Sequence, residues 1–172
     1  EDYGKLAIGK GQKVMVEFVS ANPTGPLHMG NARGGALGDC IASVLEAAGY
    51  DVTREFYIND AGNQIEKFGA SLEARYIQLL KGEDAVEFPE DGYHGEDIID
   101  HMKDFIAMNG DRLLNADEKE RRRVLVDFAL KRNLDRIKKD LKDYGIEYDV
   151  WFSEQSLYDS GELKSAIEYL KN

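Results

Sequence analysis

Residues 13–19 read Lys-Val-Met-Val-Glu-Phe-Val, and residues 20–26, directly after them, read Ser-Ala-Asn-Pro-Thr-Gly-Pro. The first stretch is β-branched or apolar almost without a break. This pattern predicts a strand that is buried on both faces, as in a parallel sheet. The second stretch consists of turn-forming residues and predicts a loop at the carboxyl end of that strand.

The residues that follow this loop predict a helix from 29 to 48 and a second strand from 52 to 58. Gly49 suits the C-terminal cap of the helix. Strand, helix and strand in this order form a βαβ unit, whose crossover is right-handed. The fold class is therefore α/β, a partial Rossmann-like nucleotide-binding fold. Apolar residues recur every three or four positions and predict the buried face of the helix: Leu37, Ile41, Val44, Leu45 and Ala48.

Helical periodicity dominates the chain from residue 61 to residue 145, and the longest helix is expected to begin near Asn115 or Asp117. We expect residues 1–64 to form the first half of the nucleotide-binding fold. Residues 65–172 are expected to form a mostly helical insertion followed by a return segment. The first residue is not methionine and the last helix has no stop signal, so we interpret the chain as a fragment of a longer protein.

The composition restricts the classes of function. The net charge of −11 argues against tight nucleic-acid binding by this chain alone. Arg121, Arg122 and Arg123 are interpreted as a solvated helix face, because charge runs usually are. The single cysteine, Cys40, favours a reducing cytoplasm and offers no cysteine-based metal site. No run of about 18 apolar residues predicts a membrane span.

His28 lies where the loop is expected to meet the helix. In open α/β sheets, ligands bind beyond the carboxyl ends of the strands. The free N–H groups and the dipole of a helix N-terminus favour an anion such as phosphate, and an imidazole adds a donor. Gly30 would let a flat ring approach the backbone. Gly34 and Gly38 continue a bare helix face, which permits either close ligand approach or tight packing on the sheet.

Glu17 is the one acidic residue in the apolar first strand. A buried carboxylate is costly unless it is paired. A guanidinium ligand could supply the partner through a two-pronged contact. The alternative is an internal ion pair, with Arg54 on the neighbouring strand as the candidate.

Leu-His-Met-Gly-Asn at residues 27–31 resembles the His-x-Gly-His signature of class I aminoacyl-tRNA synthetases. Its flanks, Glu17 to Pro26 and Ala32 to Asp39, resemble the arginine-specific family. Three further segments are similar to that family: Tyr-Ile-Asn-Asp-Ala-Gly-Asn-Gln at 57–64, Glu-Asp-Gly-Tyr-His-Gly-Glu-Asp at 90–97 and Trp-Phe-Ser-Glu-Gln-Ser-Leu-Tyr at 151–158. The resemblance covers nearly the whole chain and points to the N-terminal part of the catalytic domain.

The resemblance implies an arginine–tRNA ligase that forms arginyl-adenylate from arginine and ATP and then charges tRNA(Arg). Mg²⁺ would arrive with ATP, and no protein cage for a metal is expected. The implied arginine-binding residues are Glu17, Ser20 and Asn22, and the implied ATP-binding and catalytic residues are His28, Gly30 and Asn31. The weaker candidates are Asn59, Asp60 and Gln64, which a helix cap and its first turn would also explain.

The sequence departs from the family pattern in two respects. The second histidine of the signature is Asn31 here, and an amide can donate to phosphate but carries no charge. A loop of the Lys-Met-Ser-Lys-Ser type is absent, as is an anticodon-binding domain, so the fragment alone is expected to be inactive.

Other functions compete with this interpretation. A small nucleotidyltransferase would use a similar histidine turn but leaves the helical insertion unexplained. A dinucleotide-dependent dehydrogenase lacks its Gly-x-Gly-x-x-Gly motif here. An acidic interaction module would explain the charge but not the loop. Binding of arginine and ATP, of pantetheine phosphate, or of neither would separate these classes.

Overall fold

The computed structural model describes residues 3–171, and the chain folds into two compact units. The first unit comprises the part of the chain up to Asp60 together with the part from Arg136 onward, and the second spans Ala61–Asp135. The predicted division at residue 64 concerns the domains of a longer protein and stays a prediction. The elements run in the order β1 (Lys13–Glu17), α1 (Met29–Ala47), β2 (Asp51–Ile58), α2 (Asn63–Lys81), α3 (Glu96–Asn109), α4 (Glu118–Asp143), β3 (Val150–Ser153), α5 (Gln155–Asp159) and α6 (Glu162–Lys171).

The sheet of the first unit has the order β1-β2-β3, and both strand pairs are parallel. Lys13 pairs with Asp51 and Glu17 with Glu55, so β1 and β2 end near each other. The predicted parallel βαβ unit is confirmed. The third strand was not foreseen, because four residues are too few for a periodic pattern. Its residues, Val150–Ser153, pair with β2 from Glu55 to Ile58.

The expectation that the first strand is buried on both faces is wrong. β1 ends at Glu17, and exposed residues alternate along it with half-buried ones. The physical reason is its position: β1 is an edge strand that pairs only with β2 among residues 3–171, and one of its faces is left uncovered by them.

The predicted apolar face of α1 is wrong for three of its five residues, whereas Leu45 and Ala48 are half-buried. Leu37, Ile41 and Val44 are exposed, whereas the buried residues are Gly35, Gly38 and Ala42. A Cβ atom at Gly38 would lie 2.2 Å from Cγ of Phe18. Small residues therefore let the helix backbone approach the sheet closely, and the large apolar side chains turn outward.

An aromatic cluster forms the centre of the first unit. The ring of Tyr148 lies 4.6 Å from that of Phe18 and 5.5 Å from that of Phe56, and Trp151 stacks on Phe56 at 4.6 Å. Burying such rings contributes strongly to stability. Aliphatic residues complete this core: Ala42, Ile58, Ile137, Leu141 and Ile146.

The second unit is helical, as predicted for residues 61–145. Asp117 caps α4, its Oδ1 accepting from the N–H of Glu120 at 3.1 Å. The core comes from α2, α3, α4 and the segment before α4: Phe68, Leu72, Tyr76, Ile98, Met102, Phe105, Leu113, Leu125 and Ala129.

The interpretation of the arginine run as a solvated face is wrong for two of its three members. Arg121 and Arg122 each donate from Nε to one carboxylate oxygen of Glu73, both at 2.6 Å. Glu73 is only 7% exposed, so this charge must be compensated inside the protein. Arg123 alone remains exposed, near Asp127.

Candidate active site

The turn after β1 has a strained backbone. Val19 and Ser20 have φ angles of 68° and 42°, which non-glycine residues rarely adopt. Each such residue costs on the order of 1–3 kcal/mol and persists only where its surroundings determine it. The turn brings the Ser20 hydroxyl between two strands, where it donates to Glu17 Oε1 at 2.7 Å and accepts from the Tyr57 N–H at 3.1 Å. The strained turn therefore places one side chain, that of Ser20, where it links the carboxyl ends of β1 and β2.

Glu17 is exposed rather than buried, because it lies at the end of an edge strand. No salt bridge reaches it from any residue between 3 and 171. The proposed pair with Arg54 does not form. Arg54 stands opposite Val16 in the parallel register, so it projects from the other face of the sheet.

Arg54 is occupied by other residues. Its guanidinium donates to Asp39 at 3.0 Å and to both carboxylate oxygens of Glu46, at 2.7 and 3.1 Å. The hydrogen bond from Arg54 lowers the pKa of Glu46 below its usual value. The same contact with Glu46, the largest cause, raises the pKa of Arg54. This pair ties α1 to β2 and leaves the Glu17 carboxylate with a hydroxyl donor and no cation from the described part of the chain.

His28 is the N-cap of α1. Its Nδ1 accepts from the N–H of Gly30 at 3.1 Å, and Oδ1 of Asn31 accepts from the N–H of His28 at 3.0 Å. The pair forms a reciprocal capping box. Because Nδ1 accepts, the neutral ring carries its proton on Nε2, which points away from the cap. The imidazole is exposed, so its Nε2–H can donate a hydrogen bond to an anion that binds at the start of this 19-residue helix.

The His28 ring lies close to the backbone of Gly30. A Cβ atom here would lie 3.0 Å from Cε1 of His28. A side chain at this position would therefore crowd the imidazole, and the approach of a ligand ring to Gly30 stays a prediction. The side-chain oxygen of Asn31 accepts within the capping box, and this amide carries no charge, unlike a protonated histidine.

The other candidate residues have identifiable partners. Asn59 donates to Oδ1 of Asn22 at 2.8 Å, which links the loops after β1 and β2. Asp60 accepts from Ser153 Oγ at 2.7 Å and from the N–H of Gln155 at 2.9 Å. Asp60 does not cap α2, whose N-cap is Gly62. Gln64 belongs to the second unit, where its Oε1 accepts from the Tyr93 hydroxyl at 3.2 Å.

Two residues near this site, Tyr57 and Glu154, were not among the candidates predicted from the sequence. Burial is the main cause that raises the pKa of Tyr57, followed by the charges of Glu154 and Asp60, with a smaller effect of Glu17. Glu154 directly follows β3, so a carboxylate stands at or just beyond the end of each of the three strands. Recognition of β3 as a strand would have revealed it, because parallel strands present their carboxyl ends at one edge.

A family model for "tRNA synthetases class I (R), catalytic domain" matches residues 1–95, more than half of the chain. The chain belongs to this family. An arginine–tRNA ligase of Acetivibrio thermocellus is 78% identical over 171 residues, which are 99% of this chain and 30% of that protein. The arginine–tRNA ligase of Ruminiclostridium cellulolyticum is 74% identical over the whole chain and again 30% of the relative.

Solved structures of this family share the fold. A Campylobacter jejuni protein assigned as an arginyl-tRNA synthetase superposes with a TM-score of 0.82 at 36% identity, covering 99% of this chain and 36% of that one. The Thermus thermophilus arginyl-tRNA synthetase gives 0.56 at 26% identity, over 93% and 26% of the two chains. The chain thus spans about a third or less of the proteins that it matches.

Two negative findings apply to residues 3–171. No helix in this part of the chain is both long and apolar enough to cross a membrane. Within the same residues, no three or more His, Cys, Asp and Glu side chains are grouped so that they could hold a metal ion.

Proposed function

We propose that this chain forms part of the arginine-activating site of an arginine–tRNA ligase that acts in the cytoplasm. The observation that carries the proposal is the capping box of His28. It fixes the imidazole at a helix N-terminus with Nε2 directed outward, close in sequence to a carboxylate that pairs with no cation among residues 3–171. The family match and the names of the relatives support arginine, ATP and tRNA(Arg) as the substrates.

The proposed reaction has two steps. The carboxylate of arginine attacks the α-phosphorus of ATP, which forms arginyl-adenylate and releases pyrophosphate. A hydroxyl of the terminal tRNA ribose then attacks the activated carbonyl and releases AMP. The first step depends on in-line positioning and on charge stabilisation more than on covalent catalysis. Mg²⁺ would enter with ATP and neutralise phosphate charge.

The side chains divide this work by their chemistry. His28 Nε2–H and the first turn of α1, including Gly30 and Asn31, would hold the phosphates. Glu17 would receive the guanidinium in a two-pronged contact. Ser20 and Asn22, whose side chains already link the strand ends, would orient the amino and carboxylate groups of arginine.

Asn59 and Asp60 would support this arrangement through the contacts they already make with Asn22 and Ser153. Gln64 stays a weaker candidate. Because no Lys-Met-Ser-Lys-Ser-type loop occurs in the sequence, we expect the isolated chain to form no arginyl-adenylate at a useful rate.

The test is arginine-dependent ATP–pyrophosphate exchange by the full-length protein with His28→Ala. Loss of a positioned donor in a charge-stabilising site lowers kcat by roughly a hundredfold or more. Arginine affinity should change little, because the imidazole faces the phosphates. The matched control is His94→Ala, an exposed histidine whose Nε2 contacts the Glu90 carbonyl. Unchanged exchange in the His28 variant would remove this residue from the mechanism.

A further inference from the structure

Tyr148 reaches the strained turn from a distant part of the chain. It lies two residues before β3, and its hydroxyl donates to the carbonyl oxygen of Phe18 at 3.0 Å across a separation of 130 residues. Its ring packs on Phe18 and Phe56. The ring is thus held by aromatic neighbours, and the hydroxyl is directed at the backbone where β1 ends.

Tyr148 binds the Phe18 carbonyl oxygen, which also accepts the hydrogen bond that closes the turn. The same Phe18 oxygen accepts from the N–H of Ser20 at 3.0 Å, which closes the turn around Val19. A carbonyl oxygen has two lone pairs, and these two donors use both. Val19, at φ 68°, is β-branched and strongly disfavours this conformation, so the turn needs external contacts to persist.

We propose that Tyr148 is a positioning residue for arginine binding, which it serves by holding the left-handed Val19–Ser20 turn that places the Ser20 hydroxyl against Glu17. This inference rests on the proposed function of Glu17 and Ser20. Tyr148 acts through the backbone and touches no substrate. Burial, with a smaller contribution from the charge of Asp39, raises the pKa of Tyr148, so the hydroxyl stays protonated and remains a hydrogen-bond donor.

The first experiment uses Tyr148→Phe in the full-length protein. This change removes the hydroxyl and keeps the ring, so the aromatic cluster stays filled. Loss of one neutral hydrogen bond should raise KM for arginine roughly three- to tenfold, while KM for ATP stays unchanged. The matched control is Tyr144→Phe, a tyrosine that is 54% exposed just beyond α4. A lower melting temperature with an unchanged KM for arginine would show that Tyr148 only stabilises the fold, and would overturn the inference.

The second experiment asks whether Tyr148 acts through the turn. Glycine adopts positive φ without strain, so Val19→Gly should allow the turn to form without the tyrosine hydroxyl. Adding Val19→Gly to Tyr148→Phe should bring KM for arginine to the value measured for Val19→Gly alone, because the turn then no longer depends on the tyrosine hydroxyl. A double variant as impaired as Tyr148→Phe would overturn the proposed route.

Glu17→Gln, measured in parallel, separates failure of this inference from failure of the proposed function. If Glu17→Gln raises KM for arginine and Tyr148→Phe does not, only the role of Tyr148 is wrong. If neither variant changes it, the arginine site itself is misplaced, and the inference is overturned with it.

Discussion

Glu17 in the first unit and Glu73 in the second lie in opposite environments. Glu73 is 7% exposed and receives Nε–H donors from Arg121 and Arg122, both at 2.6 Å. Glu17 is exposed at the end of an edge strand and receives a hydroxyl donor, from Ser20. One carboxylate is compensated within the protein, whereas the other keeps capacity for a partner from outside.

The backbone conformation also differs: it is regular around Glu73 and strained around Glu17. Glu73 lies within the regular helix α2, and Arg121 and Arg122 lie within α4. Beside Glu17, two successive residues adopt positive φ. Strained backbone clusters at active sites and ligand clamps, whereas the ion pair of Glu73 joins two regular helices. The contrast therefore distinguishes a carboxylate that is paired within the fold from the one that we propose as the partner of the arginine guanidinium.

The largest effect is expected for Glu73→Ala. Breaking a buried ion pair by removing one partner costs about 3–5 kcal/mol, since Arg121 loses its carboxylate partner and keeps only the carbonyl oxygens of Leu113 and Ala116 as acceptors. Urea unfolding should show this loss of unfolding free energy, with KM for arginine unchanged. Glu66→Ala, in the exposed first turn of the same helix, is the control. A Glu73 variant with normal stability would show that the Glu73 ion pair does not stabilise the fold.

Glu17→Gln should give the reverse pattern. The change keeps the shape and the hydrogen bond from Ser20 but removes the charge that would pair with guanidinium. Hydrogen bonds to charged groups contribute about 1.5–3 kcal/mol, so we expect roughly a ten- to hundredfold rise in KM for arginine. Calorimetric melting should show no change, because no ion pair within residues 3–171 depends on Glu17. A lowered melting temperature with normal arginine binding would assign Glu17 to the fold.

The smallest effect is expected for Gly34→Ala. Apart from its chain neighbours and the adjacent helix backbone, no atom lies within 4 Å of a Cβ placed at Gly34, so alanine should stabilise α1 by about 0.5–1 kcal/mol through helix propensity. The same change at Gly38 should destabilise the protein, because its Cβ would meet the Phe18 ring at 2.2 Å. Thermal unfolding of the Gly34→Ala and Gly38→Ala variants measures the two changes in stability. Equal shifts would show that close packing of α1 on the sheet does not depend on Gly38.

Local sequence patterns were sufficient for the βαβ unit, for the helical second unit and for His28 at a helix start. Each of these depends on signals within a short stretch: an apolar run for β1, turn residues at 20–26 and an N-capping aspartate at residue 117. The assignment of Glu17, Ser20 and Asn22 to arginine binding came from the family resemblance and stays a prediction; the structure shows Ser20 bonded to Glu17, and Asn22 to Asn59.

Only the tertiary structure decided which surfaces are covered and which charges are paired. Periodicity predicted a buried Leu37–Ile41–Val44 face, but the close approach at Gly38 turned the other side of α1 to the sheet. The partners of Arg54 and Glu73 lie on other elements, as does the Tyr148 contact with Phe18. Such pairings depend on register and on the separation of elements in space, which no local pattern of residues encodes.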